Sequence, residues 1–248
     1  MSDLAPGPLI VGVADRPEAL VDAAALSVAA RPFDLVEARV DLFAGQRLEG
    51  TGREACARLE RSGTPVLVTI RSAAQGGRFA GTEGERLERF RAALGVASWA
   101  DVEDDAPIVG EVAALLAMRP AGQLVVSHHD FAATPPLSRL LEWVDGCHRA
   151  APGAIAKVAT KVNGPADRLA LKQLLERRPE RAAVIGMGAS DDGLRVELAA
   201  AGSLLAYAFL AGAGATAPGQ LSAEALHARL LGASPSYAAR RRSARAAT

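Results

Sequence analysis

Lys157 stands alone as a charge in the apolar run 153–160, and an ammonium buried in such a run is costly unless it is paired or deprotonated. A lysine amine titrates near ~10.4, so a neutral, nucleophilic amine at neutral pH requires desolvation or a cationic neighbour. Lys157 is therefore a candidate Schiff-base former; a lysine paired with a carboxylate at the edge of a core is the other reading. Other segments offer groups of complementary chemistry. Glu37, Arg39 and Asp41 alternate; Asp101 and Glu103 alternate; each set can serve a ligand or neutralise charge inside a core. Arg71 and Arg195 have no obvious partner in their own segments, and the guanidinium fork suits a carboxylate, which points to an anionic or polyhydroxyl ligand. His128 and His129 are adjacent, so in an extended segment they face opposite ways and do not form a metal pair. His129 beside Asp130 suits either acid-base chemistry or a structural hydrogen bond. The glycine-rich run 212–219 ahead of Gln220 is weak evidence for a phosphate site by itself.

The elements that must position these groups alternate regularly. Apolar strands are expected at 8–14, 33–40, 65–70, 98–103, 122–127, 153–160, 182–186 and 203–209. Helical periodicity follows each, at 17–29, 54–61, 84–94, 108–118, 137–149, 165–177, 194–201 and 223–230. Eight strand-helix units predict an α/β fold with an all-parallel sheet, and eight is the number that closes a (β/α)8 TIM barrel. A doubly wound open sheet would carry a glycine fingerprint at its first strand-helix turn, and residues 13–17 carry none. In a barrel the chemistry sits at the C-terminal strand ends, where the polar residues above fall.

Composition bounds the rest. Acidic and basic residues balance at 28 each, which argues against a nucleic-acid partner. The one basic cluster, 240–245, is expected to be a flexible tail covering 233–248, leaving a single catalytic domain over 1–232. Cys56 and Cys147 have neither metal nor disulfide spacing. No apolar run is long enough to span a membrane, and no basic segment precedes a long apolar core at the start, so a cytoplasmic protein with no membrane partner is expected.

In sequence order, Val36-Glu37-Ala38-Arg39-Val40-Asp41, Thr69-Ile70-Arg71-Ser72 with Gly76-Gly77, Ser127-x-His129-Asp130-Phe131-x-x-Thr134-Pro135, Lys157-x-Ala159, Met187-Gly188 followed by Arg195, and Ala217-Pro218-Gly219-Gln220 resemble the blocks of the type I 3-dehydroquinate dehydratases. The resemblance spans roughly residues 8 to 230. It implies a (β/α)8 barrel, commonly a homodimer, that needs no metal or cofactor and converts 3-dehydroquinate to 3-dehydroshikimate in the shikimate pathway through a lysine imine. By the same resemblance Lys157 is the imine-forming lysine and His129 the general acid and base. Glu37, Arg39, Arg71, Arg195, Thr216 and Gln220 align with residues that bind the substrate's carboxylate and hydroxyls; Thr216 stands where serine is usual.

Three departures from the family pattern stand out. Gln75 replaces a glutamate thought to orient the histidine, Lys161 stands where an apolar residue is common, and Gly12 replaces a small hydroxyl residue found in some members. Two other readings fit a strand-six lysine: a Schiff-base aldolase on the same barrel, and a catalytically silent barrel that binds a carboxylate ligand.

Overall fold

The computed structural model describes residues 7–119, 121–179, 181–188, 193–215 and 219–246. Eight strands alternate with helices: β1 (Leu9–Ala14), α1 (Pro17–Ala25), β2 (Leu35–Arg39), α2 (Gly50–Arg61), β3 (Val66–Thr69), α3 (Glu83–Ala93), β4 (Trp99–Glu103), α4 (Val109–Ala117), β5 (Gln123–Asp130), α5 (Leu137–Ala150), β6 (Ile155–Lys161), α6 (Pro165–Arg177), β7 (Ala182–Met187), α7 (Gly193–Ala200), β8 (Leu205–Phe209), α8 (Ala223–Ala233) and α9 (Pro235–Ala246). Each strand from β1 to β6 pairs in parallel with the next, and β8 pairs in parallel with β1. The ring closes where the Leu204 N–H donates to the Ala182 carbonyl at 2.9 Å and the Val184 N–H to the Ser203 hydroxyl at 2.8 Å. This is the expected single-domain (β/α)8 barrel.

Alternation along each strand builds two cores. Even-numbered strand residues such as Ile10, Val36, Val68, Val102 and Val158 pack under the helices. Odd-numbered ones fill the barrel. At its N-terminal end Leu9, Leu35, Leu67, Trp99, Val125, Ile155 and Leu205 form an apolar plug. Two residues further along these strands, except on β1 where Val11 stays apolar, the inward positions become Glu37, Thr69, Asp101, Ser127, Lys157 and Tyr207, all buried. The period of two thus stacks a polar layer on an apolar floor, facing the strands' C-terminal ends.

Two details depart from the sequence reading. The second strand stops at Arg39, where the backbone turns (φ −78°, ψ 73°), so Asp41 lies in a 3-10 turn rather than on the strand face. The expected flexible tail is instead a helix. Tyr237 of α9 is fully buried, and Arg240 and Arg241 both pair with Asp34, whose other oxygen accepts the Ile10 N–H at 2.8 Å. A buried aromatic and a shared carboxylate fix this helix across the start of β1 and β2.

Candidate active site

A cavity of about 130 Å³ opens at the C-terminal end of the barrel, and the expected residues Glu37, Arg39, Arg71, His129, Lys157, Arg195 and Gln220 all line it. Thr216 lies outside the described residues. Val13, Ala159, Ile185, Met187 and the Tyr207 ring supply apolar wall.

Lys157 is 6% exposed, and its Nζ donates to Asp101 Oδ2 at 2.9 Å while lying 4.2 Å from the centre of the Tyr207 ring. Asp101, fully buried on β4, is the hub. Its Oδ1 accepts the Ser127 hydroxyl at 2.6 Å and Arg71 Nη2 at 2.9 Å. Burial by itself would raise this carboxyl, but Arg71 and Lys157 outweigh it, helped by the Ser127 hydrogen bond, and hold it well below the usual carboxylate range. Asp101 therefore stays anionic.

Arg71 is not the unpaired cation that its segment suggests. Besides Asp101 it meets Glu103 at 3.3 Å and donates to Ser127 at 2.6 Å; against the cost of burial, these carboxylates raise its pKa and keep it charged. Glu103 is shared with the buried Arg86. Nor does Glu37 pair with Arg39. Glu37 accepts the Thr69 hydroxyl at 2.6 Å, while Arg39 forms a two-bond fork with Asp41 at 3.0 and 2.9 Å. Arg195 donates from Nε to the Gly219 carbonyl at 3.0 Å, joining α7 to the loop before Gln220.

His129 faces inward and His128 outward, as alternation requires. The outward ring binds Asp104 at 2.9 Å and stacks on Trp143. The inward ring places Nδ1 3.2 Å from Gln75 Oε1, which also accepts the His129 backbone N–H at 3.1 Å; Gln75 Nε2 donates to Asp105 at 3.3 Å. An amide oxygen only accepts, so Nδ1 must carry the proton and Nε2 keeps its lone pair. Burial, followed by Arg71 and Lys157, pushes the His129 pKa well below its ordinary value; Asp101 opposes and Arg39 adds to the fall. The ring is thus a neutral base. Phe131 lies parallel to it, 6.0 Å between centres, and rests on Gly76, where an added Cβ would meet the Phe131 ring at 2.5 Å. Gly77 is needed for the same reason of space: its Cβ would stand 2.1 Å from the Arg71 carbonyl.

The departures resolve simply. Lys161 is exposed, so it does not crowd Lys157. Gly12 has an even-numbered position and packs against Leu210 and Phe33, so no ligand contact is lost there. Both cysteines are buried, and burial pushes each thiol up to about 12, which removes them as nucleophiles. Among the described residues no group of three or more His, Cys, Asp or Glu could hold a metal ion. Sequence reasoning gave no individual role to Ser127, Tyr207 or Phe131, and left Asp101 open between serving a ligand and neutralising charge in the core. An inward carboxylate two strands from the lysine was the available signal for Asp101.

The family model described as Type I 3-dehydroquinase matches residues 10–232. A 3-dehydroquinate dehydratase of Pyrobaculum aerophilum is 37% identical over 167 residues, 67% of this chain, which spans about half that protein's length (53%). The 3-dehydroquinate dehydratase of Methanothermobacter thermautotrophicus is 35% identical over 77% of this chain and 81% of its own. In structure, 3-dehydroquinate dehydratase from Geobacillus kaustophilus superposes with a TM-score of 0.74 at 27% identity, covering 91% of this chain and 90% of that one. With the lysine, the histidine and their cavity on the matched strands, the chain belongs to the type I 3-dehydroquinase family.

Proposed function

We propose that Lys157 and His129 carry out the family's reaction, dehydration of 3-dehydroquinate to 3-dehydroshikimate, through an imine on Lys157. The observation that carries this reading is the placement of a buried amine and a neutral imidazole in one cavity, with the amine held by a carboxylate that stays anionic. An amine attacks as its free base, and of the two candidate proton acceptors in the site the neutral His129 is a better one than Asp101, which its cationic neighbours hold anionic.

The neutral amine adds to the C3 ketone, and the carbinolamine loses water to give an iminium. Asp101, already bonded to the nitrogen, sits against the new positive charge and stabilises it. The iminium draws electrons from C3, so His129 Nε2 can remove a proton from C2 and leave an enamine. The enamine expels the C1 hydroxyl, which takes the proton from His129 and departs as water. Because the surroundings of His129 disfavour its charged form, the imidazolium is a strong acid at this step. Water then hydrolyses the iminium, restoring Lys157.

Arg39 and Arg195 are suited to hold the substrate carboxylate, and Glu37, Gln220 and Thr216 its hydroxyls. Arg71 contributes as a fixed wall charge whose own carboxylates orient it. The same reading carries a cytoplasmic homodimer that acts on a small molecule without nucleic acid or membrane; light scattering checks the dimer.

The test is borohydride reduction in the presence of 3-dehydroquinate followed by intact mass and peptide mapping. A stable adduct on the peptide holding Lys157 is expected. A folded protein that forms no adduct, or forms one elsewhere, overturns the imine assignment and reopens the aldolase and silent-barrel readings.

A further inference from the structure

At the end of the barrel away from the cavity, Arg31 is 4% exposed and has no carboxylate partner among the described residues. Its Nη1 donates to the hydroxyls of Ser62 and Thr64, each at 2.7 Å, and its Nε is buried with no hydrogen-bond partner. A buried cation is ordinarily paired, because desolvating it costs several kcal/mol or more. Arg31 is not; burial and the Arg58 guanidinium both push its pKa down.

Arg31 also lines a cleft of about 220 Å³ with Thr64 and Arg241. The nearest anion there, Asp34, is already shared by Arg240 and Arg241, so the cleft keeps an excess of positive charge. Glu224 lines the adjoining cleft but makes no ion pair with Arg31. Thr64 adds a hydroxyl that accepts from Arg31 and whose own hydrogen has no acceptor among the described residues.

We propose that this cleft is a binding site for a small oxyanion, held by the Arg31 guanidinium, the Thr64 hydroxyl and Arg241. A guanidinium suits the oxygens of a phosphate or carboxylate group, and the volume admits a phosphate monoester. The site is built from the turn before β2, the turn before β3 and α9. An anion bound here ties the C-terminal helix to the barrel without touching the catalytic cavity.

Thermal melting of the full chain is followed while inorganic phosphate is titrated at constant ionic strength, with succinate in a parallel series. The wild type is expected to show a saturable rise in Tm of about 5 °C at a hundredfold excess over Kd. Arg31→Met and Thr64→Val should each lose most of that rise while keeping their kcat/KM for 3-dehydroquinate. A rise with phosphate alone identifies a phosphoryl ligand, and a rise with succinate as well identifies a general oxyanion site. If Arg31→Met does not fold, Arg31→Lys and Thr64→Val carry the comparison. No saturable rise with either anion, or a rise undiminished in the variants, overturns the proposal.

Discussion

Replacing Gln75 with glutamate changes one atom beside His129 and should move the pH dependence of the whole reaction. Gln75 is 8% exposed, and its Oε1 stands 3.2 Å from His129 Nδ1. A carboxylate there would fill nearly the same space but add a negative charge next to the imidazole. At 3.2 Å and an effective dielectric near 20, the attraction between that charge and an imidazolium is about 5 kcal/mol. Part of this is lost to the repulsion from Asp105, whose Oδ1 is 3.3 Å from the position now held by the amide nitrogen. A net rise of roughly 1–3 pH units in the His129 pKa is the expected result. His129 works as a base only when neutral. In the wild type burial and its cationic neighbours keep it so to well below pH 6.5, and in Gln75→Glu protonation should begin at a correspondingly higher pH. Initial rates of enone formation across pH give kcat/KM, whose acid limb reports the free enzyme. The limb should shift upward in Gln75→Glu and stay in place in Gln75→Ala, which loosens the ring without charging its surroundings. An acid limb that does not move in Gln75→Glu refutes the assignment of His129 as the base, or of Gln75 as its neighbour in solution.

Lys157→Ala should abolish both turnover and the borohydride adduct while Tm falls only a few degrees, because Asp101 keeps Arg71 and Ser127 as donors; residual turnover above a small fraction, or a loss of circular dichroism, contradicts this. Stability should itself depend on His129. Its folded pKa lies below its unfolded value near ~6.5, so the unfolded chain binds the extra proton and stability falls by about 1.4 kcal/mol per pH unit as pH drops below that value. Urea midpoints at pH 7 and pH 5 measure this slope, and His129→Gln should flatten it. Tyr237→Ala should cost about 3 kcal/mol in urea unfolding if α9 is docked, whereas a loose tail would leave the midpoint unchanged.

What could be read from the sequence follows from the distance over which each signal acts. Leu9–Ala14 is apolar throughout, and Val66–Thr69 up to its last residue, because both their faces are buried, and that pattern is local. The inward set Glu37, Asp101, Ser127 and Lys157 was legible one strand at a time. Its pairings were not: Lys157 meets a carboxylate 56 residues upstream, and Arg71 meets a serine 56 residues downstream. Short-range spacing therefore made Arg71 look like a free cation and left Asp101 and Glu103 with no cation in their own strand. The C-terminal helix failed for the same reason, since the carboxylate that neutralises Arg240 is Asp34, 206 residues earlier. Its basic residues resemble a solvated tail until the barrel brings that carboxylate beneath them. Closing the barrel thus does more than gather the strand ends. It converts charges that look unpaired along the chain into a network where one carboxylate, Asp101, remains ionised between Arg71 and Lys157, in the layer that underlies the proposed chemistry of Lys157 and His129.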